Sequence, residues 1–134
     1  MRCLTLVLLI CGFSLVLAVA QQETTTLPTV TNFECPKYPA KAKSMRLQGI
    51  VKMQVTTDGH RVVNARVTSG HPMLAPDAAK NVRTWEFAPH SATTFPVTYI
   101  YANEGEFKRD PATKCSAKME LPTKVTVSTR FDFP

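Results

Sequence analysis

Three histidines (His60, His71 and His90) and four cysteines (Cys3, Cys11, Cys35 and Cys115) are the residues of this 134-residue chain whose types most readily do chemistry. The histidines fall in three separate turn-like segments without the short ligand spacing of a metal site, so they read as surface residues and no metal is expected. No Gly-rich phosphate loop, Gly-x-Ser-x-Gly elbow or suggestively spaced carboxylate pair is present. The chain therefore reads as a non-enzyme, with no cofactor and no small-molecule substrate.

The cysteines are informative through compartment. Met1-Arg2 gives a positive start, Leu4 to Leu17 is almost wholly apolar, and Ala18-Val19-Ala20 has the small-x-small pattern that precedes signal cleavage. Residues 1–20 thus read as a signal peptide cut near Ala20, delivering the chain to the periplasm or beyond. Leu4 to Ala20 is 17 residues, at the short limit for spanning a bilayer, so an uncleaved inner-membrane anchor is the secondary reading. Cleavage removes Cys3 and Cys11. In an oxidising compartment Cys35 and Cys115 most simply form one disulfide, closing a loop of about 80 residues and contributing roughly 4–5 kcal/mol in the chain-entropy model. A free nucleophilic thiol competes, but neither cysteine has a histidine close in sequence.

With Arg2 gone, 15 basic residues stand against 10 acidic, a formal +5. Lysines and arginines are scattered, and no basic run carries stacking aromatics, which excludes a nucleic-acid footprint. Residues 21–36 read as a polar, Thr-rich disordered lead. At ~3.1–3.5 Å per residue such a lead reaches only about 40 Å, too little to cross a periplasm.

The elements follow from punctuation and period. Ala40 to Leu47 holds helix formers, with Ala42 and Met45 or Arg46 spaced for one face, and Gly49 is expected to end this short helix. Val51, Met53 and Val55 then alternate with Lys52, Gln54 and Thr56, and Val63, Ala65 and Val67 alternate with Asn64, Arg66 and Thr68. Asp58-Gly59 between them predicts an antiparallel hairpin. Leu74, Ala78, Val82 and Trp85 form a helical apolar stripe, with Leu74, Val82 and Trp85 as core anchors and Pro76 and Asp77 suited to the first turn. Phe87-Ala88-Pro89 stops that helix. Val97, Tyr99 and Tyr101 predict a third strand; residues 103–120 read as a loop, and Val125, Val127, Thr129 and Phe131 predict a fourth. The fold class is α+β: a small antiparallel sheet, three strands plus a C-terminal fourth, packed on one main helix with a short N-terminal helix.

Tyr38-Pro39-Ala40-Lys41-Ala42, Gly49, Asp58-Gly59, Ser69-Gly70, Leu74, Ala78-Ala79 and Trp85-Glu86-Phe87-Ala88-Pro89 stand in an order and spacing that resembles the C-terminal domain of the TonB family. The resemblance covers Tyr38 to Tyr101, within a domain placed at 37–102, with 103–134 as a loop and strand extension packed on it. It implies a periplasmic β-β-α-β module that grips an extended segment of outer-membrane receptors, the TonB box, by strand addition. Its partner-binding residues would be Val97, Thr98, Tyr99, Ile100 and Tyr101. Lys43 joins them, standing where family members carry a receptor-contacting glutamine. The partner is thus a protein or extended peptide, and the module a monomer or weak dimer.

The family's motor contact and long Pro-rich spacer have no counterpart in residues 1–36, which include Ser14 but no histidine. This opens an alternative: a stand-alone envelope interaction module without a transport role. If Pro122 to Phe133 pairs beside Val97 to Tyr101, the sheet edge is self-capped and the Cys35–Cys115 bridge holds the tail; the last strand lying elsewhere is the even alternative.

Overall fold

A computed structural model describes residues 26–103, 115 and 117–131. The expected signal peptide, its cleavage site and the start of the lead lie outside these residues, as do 104–114, 116 and 132–134.

In chain order the elements are β1 (Val30–Asn32), α1 (Ala40–Ser44), β2 (Gly49–Thr57), β3 (Val62–Ser69), α2 (Ala75–Val82), β4 (Glu86–Phe87), β5 (Thr93–Asn103), β6 (Ala117–Glu120) and β7 (Lys124–Thr129). Five strands form one mixed sheet in the order β3-β2-β5-β7-β6, and β1 and β4 form a second, two-stranded sheet. The α+β class stands. The sheet itself is larger than the three strands plus one expected, and it is not wholly antiparallel.

The hairpin forms where the period-two runs predict it. Asp58 organises the turn: its Oδ1 accepts the backbone N–H of His60 at 2.9 Å and of Arg61 at 2.8 Å. Gly59 sits at φ +109°, and a Cβ there would meet the His90 carbonyl oxygen at 2.6 Å. Val51, Met53 and Val55 are buried on the inner face of β2. On β3 only Ala65 of the alternating set is buried, whereas Val63 is 60% and Val67 37% exposed. The alternation was legible, but it could not tell an edge strand from an inner one.

The first helix is shorter than expected and ends differently. The Leu47 N–H returns to the Ala42 carbonyl at 2.9 Å and the Arg46 N–H to Lys43 at 3.0 Å, with Arg46 at φ +53°. That is a Schellman closure with arginine in the left-handed position glycine usually takes. Gly49 is instead the first residue of β2, where an added Cβ would press on Leu74 Cδ1 at 3.2 Å. Ala42 is buried, while Met45 and Arg46 are exposed, so the helix buries one small residue rather than a stripe.

The apolar stripe is buried as expected but outruns α2, since Leu74 caps the helix and Trp85 lies beyond its end. Leu74, Ala78, Val82 and Trp85 are fully buried against β2, β5 and β7, whose Val51, Val97, Tyr99, Val125 and Val127 form the opposing layer. The helix therefore ends before Phe87 rather than at it, and Phe87 lies in a strand. Glu86 and Phe87 pair with Val30–Asn32, inside the segment read as a disordered lead, and the Phe87 N–H donates to the His60 carbonyl at 2.8 Å. Strands of two and three residues are too short to show a period.

Beyond β5, the segment read as a loop contains β6, paired antiparallel to β7 across a turn holding a cis Leu121–Pro122 bond. Cys35 and Cys115 are bridged, with Cα atoms 5.4 Å apart. The bridge ties the segment between β1 and α1 to the approach to β6.

Three stability outcomes follow in urea unfolding. Leu74→Ala should lose about 2–5 kcal/mol, whereas Met45→Ala, at a side chain 58% exposed, should change stability by less than about 0.5 kcal/mol. Replacing both Cys35 and Cys115 by serine should cost about 2–5 kcal/mol with the far-UV spectrum retained.

Candidate functional site

The strand whose edge would receive a peptide, β5, is an inner strand. On one side it runs antiparallel to β2, from Gly49 opposite Tyr101 to Thr57 opposite Thr93. On the other it runs parallel to β7, from Thr98 beside Lys124 to Asn103 beside Thr129. The Thr98 N–H donates to the Thr123 carbonyl at 2.8 Å. Main-chain groups that an added strand would need are already used by the protein's own C-terminal hairpin.

The side chains named for this strand divide by face. Val97, Tyr99 and Tyr101 point into the core and are buried, while Thr98 and Ile100 are half-buried on the opposite face. Tyr99 lies between Trp85 and Tyr101, stacked at centroid distances of 6.4 and 6.3 Å. Its hydroxyl donates to Asn81 Oδ1 of α2 at 2.7 Å. Tyr38 meets Tyr101 edge-on at 5.4 Å and Phe131 at 6.0 Å, and its hydroxyl donates to the Leu47 carbonyl. These tyrosines fasten α1, α2 and the chain end to the sheet. Lys43 is exposed on α1, an element separate from β5, and its backbone completes the helix closure.

Burial, first of all, raises the phenols of Tyr99 and Tyr101; for Tyr99 the neighbouring Tyr101 adds to the effect, and for Tyr101 the charge of Asp77 does. A folded-state pKa above the unfolded value of 10.0 favours the folded protein fully below that pH and progressively less as pH rises past it. Asp58 is shifted the other way, chiefly by the Arg61 and His60 N–H groups it accepts, so its contribution is lost as pH falls through its lowered pKa.

The histidines serve local structure. The His71 Nδ1 accepts the Met73 N–H at 3.1 Å, and the His90 ring bridges Thr57 Oγ1 at 2.6 Å and the Ala88 carbonyl at 2.8 Å. Surface cavities lie among the described residues beside the helices. One of about 450 Å³ is lined by Glu34, Lys37, Tyr38, Asp77, Lys80 and Asn81. Another, about 290 Å³, is lined by Asn32, Arg61, Arg83, Thr84 and Glu86 among others. Neither was foreseen, because their walls come from segments far apart in sequence.

A five-stranded sheet packed on one face by two helices makes this an α+β domain. The family model of the Gram-negative bacterial TonB protein C-terminal domain matches residues 34–108, more than half of the chain, and the chain belongs to that family. It is a family of non-enzymatic interaction domains of periplasmic type, whose members bind proteins such as outer-membrane receptors. A comparison with curated proteins found no match. Among the described residues no helix is long and apolar enough to cross a membrane.

Urea unfolding followed between pH 7 and 11 should show stability falling above about pH 10. Tyr99→Phe should flatten that fall, at a cost of about 0.5–1.5 kcal/mol at pH 7 from the lost bond to Asn81.

Proposed function

We propose that this chain is an exported envelope protein-interaction module that keeps its β5 edge closed with its own C-terminal hairpin, and that it has no transport role. The observation that carries this reading is the parallel pairing of β7 along β5. An incoming peptide at Val97–Tyr101 would have to displace β7, whose Val125 and Val127 are fully buried. Exposing two such valines costs about 3–6 kcal/mol before any main-chain bond is lost. The disulfide to Cys35 and the contact of Phe131 with Tyr38 oppose that displacement further.

Export rests on the signal-like residues 1–20, with cleavage near Ala20 and delivery to the periplasm. Partners are proteins, met by a monomer or weak dimer; Lys43, in place of the family's glutamine, favours a different partner from a receptor's TonB box. The second reading, receptor engagement at Val97, Thr98, Tyr99, Ile100 and Tyr101, is supported by family membership and requires the hairpin to leave.

Amide hydrogen exchange on the exported, oxidised protein separates the two. With a saturating TonB-box peptide present, the Thr98 amide and those of Lys124–Thr129 should keep the protection they have without it. Peptide-dependent loss of protection along β7, with saturable binding, would establish the receptor reading instead.

A further inference from the structure

With β5 closed from Thr98 to Asn103, the outermost strands of the described sheet are β6 and β3. They differ in kind. The β6 strand has four residues, and Glu120 at its end pairs with Lys118 and Lys124, each at 3.6 Å. A short, ion-paired strand is a guarded edge. The β3 strand has eight residues, seven of them half-buried or exposed, with Val63 and Val67 uncovered on the side that faces α2.

Charge marks the middle of β3. Arg83, which ends α2, reaches across so that its Nη2 donates to the Ala65 carbonyl at 3.5 Å, a long bond that a carboxylate would easily replace. Arg66, next in sequence, is exposed on the opposite face of the sheet. Among the described residues the ion pairs engage Arg61, Lys118 and Lys124, and neither Arg66 nor Arg83 is in one, although Arg83 shares a cavity wall with Glu34 and Glu86. Arg83 also walls the cavity of about 290 Å³ beside the start of β3, where Arg61 is held by Glu86 at 3.3 Å.

We propose that the outer margin of β3 is a docking edge for an extended acidic segment of a partner protein, which adds as a strand beside Val62–Ser69 and sets its carboxylates against Arg66 on one face, with the charge of Arg83 at the same margin adding to the attraction. This rests on the reading of the chain as a protein-interaction module. The apolar residues of such a segment would cover Val63 and Val67. A second copy of the chain fits less well. Two β3 strands paired antiparallel about Ala65 would bring each Arg83 against its own counterpart, a repulsive pairing.

The test uses the exported, oxidised protein, uniformly labelled with nitrogen-15, and a blocked peptide of alternating valine and glutamate, with the valine–lysine peptide as control. The glutamate peptide should bind saturably, with amide shifts confined to Val62–Ser69 and Arg83, and weaken as salt rises. R66E should raise its dissociation constant about tenfold and R66E/R83E further, both with an unchanged circular dichroism spectrum. R66E alters only an exposed side chain, so it tests the site even if the double variant unfolds. Equal binding of the lysine peptide, no effect of R66E, or dimerisation through β3 without peptide would overturn the proposal. No binding of the glutamate peptide would overturn it while leaving the closed β5 edge intact, whereas shifts on Val97–Tyr101 would overturn both.

Discussion

The parallel ladder between β5 and β7 is the contact on which the rest of the structure depends. It makes β5 an inner strand, and only an inner strand can carry three inward residues as large as Val97, Tyr99 and Tyr101 with both neighbours supplying walls. Without β7 the ring of Tyr101 would lose the Val125 and Val127 side of its pocket, and Phe131 would lose Tyr38. The raised phenol pKa values belong to the same constraint, because an ionised oxygen in that layer has little water to solvate it. The interaction that completes the core is therefore the one that occupies the outer edge of β5.

How far the sequence reveals this depends on the length of each signal. The nine residues of β2, the eight of β3 and the helical stripe of α2 repeat often enough to be read, and Leu74, Val82 and Trp85 could be named as core from spacing alone. The strands β1, β4 and β6 have three, two and four residues and left no such trace. The strand β7 was visible as Val125, Val127 and Thr129, but its neighbour and direction were not. Alternation is identical in parallel and antiparallel ladders, and the choice between them lies in long-range packing: β7 brings two valines where β6 brings Ala117 and Met119, so the more apolar strand takes the inner place.

Tethering explains why a C-terminal hairpin can be relied on as part of the sheet. The bridge from Cys35 to Cys115 joins chain positions 80 residues apart, and Cys115 lies buried just before β6. A cross-link over so long a loop removes much of the unfolded chain's freedom, roughly 4–5 kcal/mol in the entropic account.

Closing one edge leaves the liability of the other. A strand of eight residues with exposed valines invites pairing with any extended chain, including another copy of itself. On β3 the protection against this is charge rather than shortness: Arg66 on one face and Arg83 reaching Ala65 from the other. Repulsion between arginines works against self-association, yet the same guanidiniums attract carboxylates, so the device that excludes a second copy is the one that selects an acidic segment. Beside β6 both lysines, Lys118 and Lys124, are paired with Glu120. The two margins of one sheet are thus chemically unequal, and the difference lies in whether each cation already has its partner within the fold.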